Sequence, residues 1–199
     1  MMNSSLNEGV KKPSIYIDTC IARDVTERRL GRDASIELLG RIKSKGWSCK
    51  MSVFGFMELV DIEQESLFVN KSLFIEKRTL DEIISGRRNR DLRKEELEQS
   101  FQYIEQFKSN YSFVKPVGLS DDGWSLAIVV ASETNLHASD VIHLVSAWQE
   151  DCDLVVTDDT FFITEAERYL RNQGIWDGLR VCSPERCYFV LEEMGFTNI

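Results

Sequence analysis

The sequence predicts an α/β fold, a three-layer α/β/α arrangement around a mostly parallel central sheet, with a helical insertion at about residues 60–111. Three observations carry this expectation. Short strand-like apolar runs alternate with longer segments of helical period. Glycines and a proline fall at the joints between them, and no repeat, low-complexity tract or second-domain linker interrupts the alternation. With 199 residues and a hydrophobic fraction of 43%, residues 14–199 can bury one sizeable core behind a polar N-terminal tail, 1–13.

Element by element, Ser14-Ile15-Tyr16-Ile17-Asp18 reads as the first strand. A polar loop then leads to an Asp33-capped helix whose apolar residues Ile36, Leu38, Leu39 and Ile42 keep helical spacing, with Gly46 as its stop. Trp47 to Val53 is the second strand. Phe54 to Ser85 is one broken helix or two consecutive ones, ended by the breaker Gly86. Phe101, Ile104 and Phe107 continue a helical period behind a charge-dense segment, and Ser112 to Pro116 forms a third strand. The cluster Ser120-Asp121-Asp122-Gly123-Trp124 starts a helix to about Glu133, and another follows from Ala138 with Val141, Leu144, Val145 and Trp148 on its apolar face. Asp153 to Thr157 is the clearest buried strand, and Phe161 to Asn172 the next helix, with Gly174 beyond it. Leu179 to Cys182 and Pro184 to Met194 close the chain as strand and helix, Pro184 suiting a first helical turn.

This layout places four acids at strand ends or at the starts of the following helices: Asp18, Glu58, Asp140 and Asp159. In an open α/β sheet that edge is where ligands bind. Like charges packed there raise one another's pKa unless a divalent cation neutralises them, so the expected cofactor is Mg²⁺ or Mn²⁺. Each acid also has a plainer reading. Asp18 and Asp159 suit helix caps, and Glu58 and Asp140 suit first turns favoured by the helix dipole. Glu58 sits between Met57 and Leu59, a poor place for an unpaired charge.

In Ile15-Tyr16-Ile17-Asp18-Thr19, Met57-Glu58-Leu59, Ala138-Ser139-Asp140 and Thr157-x-Asp159-x-x-Phe162, taken in this order, the chain resembles the PIN-domain family across about Ser14 to Gly174. The resemblance implies a metal-dependent endoribonuclease. Asp18, Asp140 and Asp159 would then hold Mg²⁺ or Mn²⁺, with Glu58 ligating directly or through water, and with Thr19, Thr157 and Asp158 beside the ligands. It selects Asp159 over Asp158 because the last acid of such proteins falls two residues after the threonine. It also implies RNA as substrate and, for toxin-type members, a small antitoxin partner and a homodimer. Two features depart from the family pattern: Cys20 replaces the usual small polar residue, and the segment between the second and third acids is long and helical.

Cations for a phosphate backbone are sought in two places. Arg23, Arg28, Arg29 and Arg32 follow Asp18, where gripping phosphates competes with a solvated loop. Arg87, Arg88, Arg90, Arg93 and Lys94 either clamp RNA or, with Asp91, Glu95 and Glu96 interleaved, form a salt-bridged exposed helix. A net charge of −9 excludes a nonspecific nucleic-acid coat but not a nuclease whose cations are local. His143, three residues after Asp140, could orient an acid, but a core or rim histidine is the plainer reading; it forms no zinc-ligand pair with His137.

The five cysteines form no Cys-x-x-Cys pair and read as buried free thiols, with Cys20 near the acids and held protonated by them. No apolar stretch reaches membrane length and the N-terminus is not an apolar signal, so a cytoplasmic protein is expected. The competing function is a non-catalytic RNA- or protein-binding PIN-like module. An aspartyl-phosphate phosphatase would need its second acid where Cys20 stands, and a dinucleotide-binding domain would need a Gly-rich turn after the first strand.

Overall fold

The structure is a computed structural model that describes residues 11–27, 32–197 and 199. Its centre is an all-parallel five-stranded sheet in the order β3-β2-β1-β4-β5, built from β1 (Ser14–Ile17), β2 (Ser48–Ser52), β3 (Val114–Val117), β4 (Leu154–Val156) and β5 (Arg180–Cys182). Ile15 lies opposite Cys49 on one side and Leu154 on the other, so β1 is buried at both edges. Strand side chains alternate between faces, and the alternation assembles two separate cores.

Ile15, Ile17, Met51 and Val156 point into a layer formed by α1 (Thr19–Glu27), α2 (Arg32–Lys45), α9 (Cys187–Glu193) and the inner sides of α3 (Val53–Asn70) and α5 (Lys94–Asn110). Tyr16, Val155 and Val181 point the other way, onto α6 (Asp121–Glu133), α7 (Ala138–Gln149) and α8 (Thr160–Asn172). Fully buried side chains such as Ile15, Leu38, Leu144 and Phe162 each contribute about 1.5–3 kcal/mol by leaving water. The expected three layers are present. Between β2 and β3 the chain runs through α3, a π-helical turn at Lys71–Ile75, α4 (Leu80–Gly86) and α5.

Two readings of the sequence need correction. The polar loop after the first strand is α1, whose Ile21, Ala22 and Val25 pack inward and whose Asp24 is also buried, accepting from Ser35 Oγ at 2.9 Å; its apolar stripe is short and lies among polar residues. Asp33 does not cap α2 but lies in its first turn. The stop at Gly46 is real: its φ of 61° is a left-handed conformation that a side chain would strain.

The strand order positions the site. The chain moves outward from β1 to β2 to β3, then returns to the far side of β1 as β4. The crevice of such a sheet opens where the two directions part, at the C-terminal ends of β1 and β4. Asp18 follows β1 there, and Thr157 to Asp159 follow β4. Among the described residues no helix is long and apolar enough to cross a membrane.

Candidate metal centre

Asp18 is buried immediately after β1 and is gripped from two strands. One of its oxygens, Oδ2, accepts from Thr157 Oγ1 at 2.7 Å; the other, Oδ1, accepts from the Thr19 amide. Thr157 is itself fixed, because its N–H donates to the Cys182 carbonyl at 3.0 Å. The Asp159 N–H then donates to Thr157 Oγ1 at 3.1 Å, tying the last predicted acid to the same threonine.

Glu58 reaches this point from α3. Ser52 caps that helix, accepting from the Gly55 N–H at 2.8 Å. Gly55 lets the helix start lie flat on the site: a Cβ there would stand 3.0 Å from Thr19 Oγ1 and 3.1 Å from His143 Cε1. One turn later Glu58 Oε2 accepts from Thr19 Oγ1 at 2.6 Å and meets His143 Nε2 at 2.8 Å.

His143 is the residue whose position in the site the sequence left undecided. It is 1% exposed, and its Nε2 also lies 3.2 Å from Asp18 Oδ1. Donor atoms of Asp18, Glu58 and His143 all fall within 4.8 Å of one another, a spacing one metal ion could bridge. On its far side Nδ1 meets the Tyr16 hydroxyl at 2.8 Å, and Tyr16 accepts from the Ser52 N–H at 3.0 Å. The signal for His143 was its place three residues after Asp140, which puts both on neighbouring helix positions.

Asp140 enters from the first turn of α7, and its Oδ2 is buried without a hydrogen-bond partner. Burial, then the charges of Asp18 and Asp159, push its pKa above the ordinary carboxylate value. Asp159 has a structural duty as well: its Oδ1 accepts from the Phe161 and Phe162 amides and caps α8. Both readings of Asp159, cap and site acid, describe the same exposed side chain.

Burial lowers the His143 pKa, but its hydrogen bond to Glu58 and the charges of Asp18, Glu58 and Asp140 more than offset this and leave it raised. Burial and the nearby Asp18 charge hold the Cys20 thiol well above its usual value. It donates to Asp18 Oδ2 at 3.2 Å, and a protonated thiol in that setting is not a nucleophile.

Asp18, Thr19, Glu58 and Thr157 thus stand in one hydrogen-bonded unit, while Asp140 and Asp159 lie outside the close donor group of Asp18, Glu58 and His143. The side chain of Asp158 is exposed, and its amide donates to Cys20 Sγ at 3.1 Å. Arg23 lies on α1; Arg28 and Arg29 lie outside the described residues. The second arginine cluster is not the expected exposed helix: residues 87–93 form a turn and loop before α5, where Arg87 pairs with Glu65 and Arg90 with Asp61 at 2.7 Å, both acids on α3, and only Arg93 with Glu96 at 3.4 Å follows the local alternation. In comparisons with known proteins, no family model matches the chain and no curated sequence matches it.

Proposed function

We propose that the chain is a metal-dependent endoribonuclease of the PIN type, hydrolysing RNA phosphodiester bonds at the pocket of Asp18, Glu58, Asp140 and Asp159. One observation carries the reading: like charges converge at the switch point of the sheet, and one of them, Asp140, has a buried oxygen with no partner. An unsatisfied buried acceptor costs about 1–3 kcal/mol, more when charged, and a divalent cation is the partner that clustered carboxylate oxygens accept. In this reading Mg²⁺ or Mn²⁺ is held by Asp18, Asp140 and Asp159 with Glu58, and of these Asp18 and Glu58 already have donor atoms within 4.8 Å of each other. Once bound, such an ion lowers the pKa of a water and offsets charge on the reacting phosphate.

The chain's own part is to fix positions. Thr157 and Thr19 hold the carboxylates of Asp18 and Glu58 in single orientations, and the first amides of α8 hold Asp159. Hydrolysis needs no protein nucleophile, and the thiol nearest the acids stays protonated. Phosphate contacts are assigned in this reading to Arg23, Arg28 and Arg29, which follow Asp18 in the sequence. A cytoplasmic toxin, with a small antitoxin partner and a homodimeric assembly, is one setting for this activity. RNA processing or decay is the other.

A non-catalytic RNA- or protein-binding module draws support from the donors that Asp18 and Glu58 already have and from the capping role of Asp159. The two readings part in single-turnover cleavage of a mixed RNA pool with Mn²⁺, run beside Asp159→Asn, Asp158→Asn and an EDTA control. The nuclease loses cleavage in EDTA and in Asp159→Asn but keeps RNA binding. Saturation at a hundred times the dissociation constant should also stabilise folding by about 2.7 kcal/mol. A protein that binds RNA and cuts it under no metal is the binding module.

A further inference from the structure

We propose that His143 is itself a metal ligand, coordinating through Nε2 beside Asp18 and Glu58, so that the site selects a transition ion such as Mn²⁺, Co²⁺ or Zn²⁺ over Mg²⁺. This rests on the metal-site reading above and names the ion's class. His143 Nε2 stands 2.8 Å from Glu58 Oε2 and 3.2 Å from Asp18 Oδ1. Atoms bound about 2.1 Å from one ion, at angles of about 90 to 109°, lie roughly 3.0–3.4 Å apart. The Asp18 distance lies in this range and the Glu58 distance just below it, and the donors of all three residues fall within 4.8 Å of one another.

The far side of the ring is prepared for the same role. A ligating histidine almost always donates its other N–H to an oxygen, which fixes the tautomer and the ring plane. Here Nδ1 faces Tyr16 Oη at 2.8 Å and Ser52 Oγ at 3.4 Å. The Ser52 amide donates to Tyr16 Oη; with the ring proton on Nε2, that proton goes to Glu58 Oε2 and the tyrosine proton to Nδ1. With an ion on Nε2 the ring proton moves to Nδ1 and donates to Tyr16 Oη. The tyrosine proton then turns to Ser146, which lies beside Tyr16 and whose buried hydroxyl has no partner in this arrangement. No net proton is gained or lost by the ring and its partners.

The ring has little room to swing away. Tyr16 and Phe54 pack against it edge-on, at centroid distances of 5.8 and 6.1 Å. A rigid imidazole nitrogen suits transition ions, whereas all-oxygen sites suit Mg²⁺. The carboxylates alone would leave the choice open.

The test is pulsed EPR of the full chain loaded with Mn²⁺, which reads nitrogen bonded to the ion directly and needs no variant. Expected is a ¹⁴N coupling of a coordinated imidazole. Calorimetric titrations should show Co²⁺ and Zn²⁺ binding tighter than Mg²⁺, with His143→Gln weakening the former by roughly tenfold or more while Mg²⁺ affinity changes little. Bound Mn²⁺ with no nitrogen coupling overturns the ligand role of His143 and leaves the acid site standing. If no divalent ion binds the unmodified chain, the acid-site reading falls and this one with it.

Discussion

Two regions of this molecule are dense in charged side chains, and they use charge in opposite ways. At the sheet edge Asp18, Glu58, Asp140 and Asp159 gather charges of one sign, partly buried, steadied by threonine hydroxyls, backbone amides and His143. In the excursion between β2 and β3 the charges alternate in sign and neutralise one another: Arg78 with Asp91 at 2.8 Å and Glu76 at 2.7 Å, Lys71 with Glu96 at 3.5 Å, Arg90 with Asp61. Where such pairs are exposed, solvent screens them and each adds little to stability. The pocket departs from what stability alone would select, and such departures mark places where function sets the sequence. The arm uses its charges to tie its own segments together.

The sharpest way to break this contrast is Asp140→Asn. Removing a charge from the pocket should lower single-turnover cleavage by about 10²-fold or more. In EDTA the same variant should melt no lower than the parent, and up to a few degrees higher, since about 1 kcal/mol moves the midpoint 2–4 °C at this chain length. The sign follows from the raised Asp140 pKa, which reports that the charged form is disfavoured in the fold. A large loss of apo stability would show that the pocket's charges stabilise the fold as those of the arm do.

Gly55→Ala tests how the pocket is assembled. A helical alanine is worth up to about 1 kcal/mol over glycine, but its Cβ would fall 2.8 Å from Met51 Cε and 3.0 Å from Thr19 Oγ1. The methionine end can yield; the threonine cannot without releasing Glu58. Metal affinity by calorimetry should therefore drop roughly tenfold or more while the melting temperature moves by only a few degrees. Unchanged affinity would mean that α3 can shift without carrying Glu58 away.

The smallest effect is expected in the arm. Glu82 is held below the usual carboxylate range by the Thr79 backbone N–H, Asp91 by Arg78, and Glu96 by the Arg93 backbone N–H. Stability from depressed carboxylates is present above their unfolded pKa and is lost as pH falls through the folded one. Amide exchange in α4 and at the start of α5 should accelerate below about pH 4, while the central strands stay protected. Exchange that rises together in arm and sheet would show that the arm's ion pairs are coupled to the core.

Much of this was legible along the chain, because strands and helices are short-range patterns. The four acids could be placed at one edge once the strands were placed, since a parallel sheet brings all its C-terminal ends together. What the sequence hid was long-range or two-sided. The apolar stripe of α1 is short and lies among polar residues, one of which, Asp24, finds its buried partner Ser35 eleven residues later. Arg90 finds Asp61 across 29 residues, a pairing no local pattern announces. His143 looked like a core residue and is one, yet the burial that makes it so also aims it at Glu58 and Asp18.

The central position of β1 has a consequence in time. Tyr16 pairs with Val155, 155 − 16 = 139 residues later. At about 5–20 residues per second, a ribosome needs roughly 7 to 28 s to supply the second strand after the first. Until then Asp18 has neither Thr157 nor His143 beside it, because both come late in the chain. Long-range parallel pairings form slowly even in a finished chain. The nascent polypeptide therefore carries no complete pocket, and whatever this site does begins only after the segment bearing Thr157 has been made.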